Sequence, residues 1–275
     1  MLYSVGSSLP EYRVKAFIDT ANSNNRIQDD EYARHYGFRA GLVSGMYVFA
    51  YMSRPLVELL GRDWLERGST EVRLVRPVYE GEEIRVSGSV TSVVKDEALS
   101  LEYQAANSQG AICGIGVAQM PAGRPASEPS LTDFPAGRAR LHRPVSLETL
   151  QVGENLAPIT SEFTWNIHWQ YCRKSIRDLH VIYEKTLHPG WLVSQASRIL
   201  SANFAVPAWI DVSCRIRNFH LQDEECSIET RGRIQGKYER DGDHFIELDL
   251  AVFAQKRCLE TIRYTAIFRI APNAA

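Results

Sequence analysis

A helix that is apolar almost all the way round has to be enclosed, and residues 22–61, NSNNRIQDDEYARHYGFRAGLVSGMYVFAYMSRPLVELLG, contain one. The stretch divides into a polar turn over 22–28, a short helix opened by Asp29 and Asp30 and stopped near Gly37, and a longer helix that starts at Gly45. Carboxylates suit a helix start because unpaired backbone N–H groups and the positive end of the dipole meet them there. Glycine suits the stop. From Met46 the apolar residues run nearly unbroken through Val48, Phe49, Ala50 and Met52 to Leu56, Val57, Leu59 and Leu60. That is wider than one stripe, so the second helix is expected to be covered on several sides.

The cover is expected from strands. Residues 12–18 (YRVKAFI) alternate, and 70–78 (TEVRLVRPV) interleave Val72, Leu74 and Val75 with arginines, after a connector at 64–68. Three further strand-like runs occupy 83–94, 98–107 and 111–120, divided by Lys95-Asp96-Glu97 and by Asn107-Ser108-Gln109-Gly110. A helix followed by a meander of antiparallel strands implies a sheet curled around that helix.

The second half repeats the first. Leu187-His188-Pro189-Gly190-Trp191-Leu192-Val193 aligns with 42–48 and places Gly190 on Gly45, an offset of about 145 residues that points to duplication of a whole domain. Asp223-Glu224-Glu225 then aligns with Gly81-Glu82-Glu83, and 245–254 with 261–270 supply the last two strands. Residues 121–144, rich in Pro, Ala, Gly and Ser, read as a linker between the copies. The expected organisation is an N-terminal domain over 1–120, a linker over 121–145 and a C-terminal domain over 146–275.

A chain of 275 residues with 44% hydrophobic and 23% charged residues can bury a sizeable core. A net charge of −2 with mixed signs offers no basic face for a polyanion, which argues against nucleic acid as a partner. No run approaches the roughly 18 apolar residues of a membrane span, and the start lacks a secretory layout, so a cytoplasmic protein is expected. The five cysteines are odd in number and form no CxxC pair, so neither a metal site nor a disulfide framework is expected.

Residues 22–46 resemble the MaoC-like (R)-specific enoyl-CoA hydratases, whose signature is roughly DxNPxHxDxxYAxxxGFxxxIxHGM. Asp29-Asp30-Glu31-Tyr32-Ala33 matches DxxYA, Gly37-Phe38 matches GF, and Ser44-Gly45-Met46 stands at HGM. Counted back from Gly37, the motif's Asn falls on Asn24, its catalytic Asp on Asn22 and its catalytic His on Ile27; a one-residue deletion instead puts Gln28 at the His and Ser23 at the Asp. In neither register does a side chain titrate near neutral pH. The resemblance implies an α+β protein of double hotdog fold, two tandem sheet-wrapped helices. It also implies a ligand that is an acyl thioester of CoA or of acyl carrier protein, hydratase or dehydratase chemistry without a cofactor, and a homodimer as an open further step.

In such hydratases a backbone N–H at the start of the central helix holds the thioester carbonyl, which makes Gly45 and Gly190 candidates, with Asn24, Gln28, Asp29 and Ser44 around the first of them. Asp29 also suits plain helix capping, and either glycine suits a tight turn. For acid/base work, 165–191 concentrates polar and titratable groups; His188, at the mouth of the second central helix, is the leading candidate, with Asp178 or His180 as partner. Trp165, Trp169 and Trp191 suit a substrate tunnel or the core, and Arg73, Arg76, Arg215 and Arg217 suit CoA phosphates or solvent. Two other functions stay open: another enzyme on the same pocket, such as a thioesterase, an isomerase or an addition or cyclisation enzyme, and a non-catalytic acyl-thioester-binding subunit.

Overall fold

The computed structural model describes residues 3–19, 23–94, 98–125, 127–138 and 141–271. Asn22 and the turn Lys95-Asp96-Glu97 lie outside the described residues, as do three positions of the linker.

The first half contributes β1 (Tyr12–Lys15), α1 (Asp30–His35), α2 (Gly45–Arg67), β2 (Ser69–Leu74), β3 (Glu83–Val94), β4 (Ala98–Asn107) and β5 (Ile112–Pro121). The second contributes β6 (Ile159–Phe163), α3 (Trp165–Gln170), α4 (Pro189–Val193), α5 (Gln195–Asn203), β7 (Ile210–Asn218), β8 (Cys226–Arg240), β9 (Asp243–Ala254) and β10 (Arg257–Arg269). The ten strands of the described residues form one antiparallel sheet in the order β1-β3-β4-β5-β2-β7-β10-β9-β8-β6. Read from its outer edge, each half has the same strand order, and the halves meet edge to edge at β2 and β7. In that join Ser69 faces Arg217 and Val72 faces Cys214. Ser69 and Cys214, like Val72 and Arg217, are separated as Gly45 is from Gly190, so the join is a local two-fold between duplicated units. The architecture is the double hotdog implied by the sequence.

α2 is buried on several sides, as its composition requires: Met46, Phe49, Met52, Leu56 and Trp64 are at most 2% exposed. The helix outruns the sequence reading. Gly61 leaves helical geometry (φ 63°, ψ −150°), yet the chain resumes the helix to Arg67, so the expected connector at 64–68 is mostly helical and Trp64 becomes core. The second central helix is shorter and is built as α4 and α5 on either side of Ser194. Within the cover, α2 and α4 touch: a Cβ on Gly190 would come within 2.4 Å of the Ala50 Cβ, a contact that only glycine permits.

The linker lies across the outer face of the second half. Phe134 is buried there with Phe219, Phe253 and Cys258, and Arg231 donates to the carbonyls of Leu131 (3.2 Å) and Phe134 (3.3 Å). The linker's described residues are held further by the ion pairs Arg124–Glu66 and Glu128–His220 and by Arg67, which donates to the Ala122 carbonyl. No helix among the described residues is long and apolar enough to cross a membrane.

Candidate functional site

The mouth of α2 is built from both halves. Ser44 caps the helix, its hydroxyl accepting from the Met46 N–H at 3.3 Å. Beside it stands Asp211 of β7, which accepts from the Ser44 hydroxyl (3.4 Å), the Ser197 hydroxyl (3.1 Å), the Tyr264 hydroxyl (2.5 Å) and the Gly45 N–H. Burial raises the Asp211 pKa against the pull of these donors. A Cβ on Gly45 would meet Leu74 Cδ1 and Asp211 Cβ within 2.5 Å, so the close approach that demands glycine here is made by the protein's own side chains.

The mouth of α4 is held differently. His188 is the N-cap, and its Nδ1 accepts from the Gly190 N–H at 2.9 Å. The proton is therefore on Nε2, which faces Asp178 Oδ2 at 3.4 Å. Asp178 Oδ1 in turn accepts from Arg54 of α2 at 2.6 Å. The His188 backbone N–H donates to His168 Nε2 at 3.0 Å. Burial, with the neighbouring His188, pushes the His168 pKa down to about 3. Burial also lowers His188 against the attraction of Asp178. Asp178 feels the same burial, which raises its pKa, but its bonds to His188 and the charge of Arg54 prevail and lower it. His168 and His188 are both 0% exposed and Asp178 is 2% exposed.

Two adjoining pockets open on the surface. The larger, about 1230 Å³, runs between the halves, with Ser44, Met46 and Tyr47 on one side and Trp191, Ser197 and Trp209 on the other. The smaller, about 900 Å³, includes Arg26, Asp29, Arg39 and Tyr79, and shares Ser23, Asn24, Asn25 and Gln28 with the first. Of the residues singled out in the sequence, Asn24, Gln28 and Ser44 line the larger pocket and Asp29 the smaller, while Gly45, Gly190, Asp178, His180 and His188 line neither. The chain brings His188 and Asp178 together behind the groove wall. It gives the His180 ring a capping role instead, with Nδ1 accepting from the Ile182 N–H at 3.3 Å. Asp29 caps α1, accepting from the Tyr32 N–H at 2.8 Å. Of the two positions that could stand at the motif's His, Ile27 is buried in a small core with Ala33 and Leu42, whereas Gln28 reaches the pockets and its Oε1 is buried with no hydrogen-bond partner among the described residues. Of the three tryptophans, Trp191 lines the groove and Trp169 is exposed. Arg215 is paired with Glu71 on the surface.

Several groove residues carry no motif. Ser175 donates to Asp19 Oδ2 at 2.6 Å, and both line the groove beside Tyr47, whose pKa burial pushes up to about 12. Ser197 belongs to the same wall, and Asp211, which accepts from it, lies buried behind. The one sequence signal for this side is the helical spacing of Ser194, Ser197, Arg198 and Ser201. The cysteine thiols are all free, and burial raises the pKa of each, which disfavours a thiolate nucleophile.

No protein-family model matches the chain, and no curated protein is similar to it in sequence. Among solved structures, a protein described as a MaoC domain dehydratase from Chloroflexus aurantiacus superposes with a TM-score of 0.70 at 12% identity, covering 98% of this chain and 97% of that one. A double-hotdog protein of Mycobacterium tuberculosis gives 0.60 at 13% identity, covering 95% and 96%. A protein described as an oleoyl thioesterase from Lactobacillus plantarum gives 0.53 at 8% identity, covering 98% of both chains. At these identities the likeness establishes architecture: the chain is a double hotdog over essentially its whole length, and its structural neighbours include MaoC-like dehydratases.

Proposed function

We propose that the protein binds an acyl thioester, of CoA or of a carrier protein, in the groove between its halves and adds or removes water across its 2-enoyl group. The observation that supports this reading is the composition of the groove walls. Met46, Trp191, Trp209 and Phe17 give an acyl chain an apolar wall, and Asn24, Gln28, Ser44 and Ser197 offer hydrogen bonds beside it. Hydration needs one group to take a proton from water and one to deliver a proton to the α carbon. The two helix-mouth amides are occupied by Asp211 and His188. In this reading Asp19, a groove carboxylate held by Ser175, takes the proton from water and delivers it to the α carbon, and His188 with Asp178 positions the α4 mouth from behind.

A carboxylate hydrogen-bonded to a serine in a groove also suits hydrolysis, with water attacking the thioester carbonyl, and this is the second reading. Crotonyl-CoA separates them. Hydratase activity consumes the enoyl absorbance with no release of thiol, and Asp19→Asn slows it by about 10²- to 10⁴-fold. Release of free thiol in its place would establish the hydrolytic reading. Thermal stabilisation by the ligand with neither change would reduce the protein to a binder.

A further inference from the structure

Six side-chain amides are buried among the described residues, and five of them are bonded to the protein. Asn25 donates to the Trp209 carbonyl (2.8 Å), Asn203 to those of Ala157 and Ile199 (both 3.0 Å), Asn218 to that of Trp64 (2.8 Å) and Gln222 to that of Glu224 (2.6 Å), while Gln195 accepts from the Ser161 hydroxyl (2.8 Å). Gln28 is the exception. It is 8% exposed, its Oε1 is enclosed without a donor, and its side chain makes no hydrogen bond with the described residues through either end. The backbone beneath it is fixed. Asn25 caps the short turn Arg26–Gln28 by accepting from the Ile27 N–H (3.3 Å), the Gln28 N–H donates to the Asn25 carbonyl (3.1 Å), and Asn25 also ties the turn to Trp209 of the other half. A Cβ on Gly41 would stand 2.0 Å from the Gln28 carbonyl oxygen, so the chain packs closely against the turn from that side too. Gln28 lines both the larger and the smaller pocket.

A buried polar group without a partner is destabilising, and native proteins keep few of them. Here a rigid turn holds one at the wall shared by two pockets, which points to a partner that arrives with the ligand. A primary amide offers an acceptor oxygen and two N–H donors, and it carries no charge. Half a turn about its last torsion exchanges the two ends, and at Gln28 no bond to the protein opposes that rotation. Its complement is therefore a neutral group that both donates and accepts. We propose that Gln28 is a specificity-determining residue that hydrogen-bonds such a group of the ligand lying in this groove. The group has two sources, a hydroxyl on the acyl chain or an amide of the pantetheine arm. The proposal rests on the same groove being the ligand site of the proposed function.

Calorimetric titration of the intact protein with butyryl-CoA, 3-hydroxybutyryl-CoA, pantetheine and methyl 3-hydroxybutyrate compares wild type with Gln28→Met, which keeps the length of the side chain and removes both ends of the amide. Urea unfolding of both proteins without ligand runs beside it. The expected result is a loss of about tenfold or more in affinity for one or more probes, with an unfolding midpoint at or above that of wild type, because the variant buries no unpaired amide. Loss confined to the two hydroxylated probes identifies the hydroxyl; equal loss for both CoA thioesters, matched by pantetheine, identifies the arm amide. Affinities that are the same in both proteins, no binding of any probe by wild type, or a midpoint lowered in the variant overturns the proposal. Binding of pantetheine or of the methyl ester that depends on Gln28, without binding of either thioester, removes the thioester reading and leaves the role of Gln28 standing; thioester binding indifferent to Gln28 does the reverse.

Discussion

His168 and His188 meet through a single hydrogen bond, and burial keeps both rings neutral. Each folded-state pKa lies below the unfolded value, so each contributes stability above about pH 6.5 that is lost as the pH falls toward the folded pKa, at up to about 1.4 kcal/mol per pH unit for one group. Buried Glu260 and Asp211, whose pKa values are raised, run the other way, their contribution being present at low pH and lost as the pH rises through the folded values. The informative quantity is therefore the difference between wild type and His168→Asn. Urea unfolding should show the stability advantage of wild type shrinking by about 2 kcal/mol between pH 6.5 and pH 5, because the variant lacks the titrating ring. A difference that stays constant over that range would contradict a neutral His168.

α2 shows how an element can be legible in outline and not in detail. Its apolar run announced a covered helix because burial on several sides needs apolar residues on several sides. Its true end was hidden by Gly61, which reads as a stop and is in fact a single non-helical residue inside a longer helix. At φ 63° and ψ −150° that residue lies where a side chain is strained, although nothing within 4 Å would touch an added Cβ. Gly61→Ala, a change that normally strengthens a helix, is thus expected to destabilise this protein by about 1–3 kcal/mol, measured by the denaturation midpoint. A gain in stability would mean that the backbone can relax into helix there. The second central helix was legible through the alignment of Gly190 with Gly45, but not its division at Ser194. The mouth of α2 was less legible still: Ser44 and Asp211 are 167 residues apart in sequence, and neither carries a local pattern that announces the other. Likewise residue types offer either Asp178 or His180 as the partner of His188, while the structure brings in Asp178 together with Arg54, which comes from the other half.

The halves share one core and one sheet. The principal cluster of buried residues includes Trp64 and Leu101 of the first half with Ile228 and Leu250 of the second, and β2–β7 hydrogen bonds close the join. Neither half can leave without exposing the other's edge strand, so thermal unfolding should be one transition with equal calorimetric and van't Hoff enthalpies. Two resolved transitions would show the halves to be separable. Joining the copies in one polypeptide also lets them diverge. An assembly of two identical chains repeats every substitution and so has interchangeable pocket ends. Here a carboxylate stands at one helix mouth and an imidazole at the other. The two mouths are accordingly no longer equivalent, and the groove beside them has unlike walls, Ser44, Met46 and Tyr47 facing Trp191, Ser197 and Trp209.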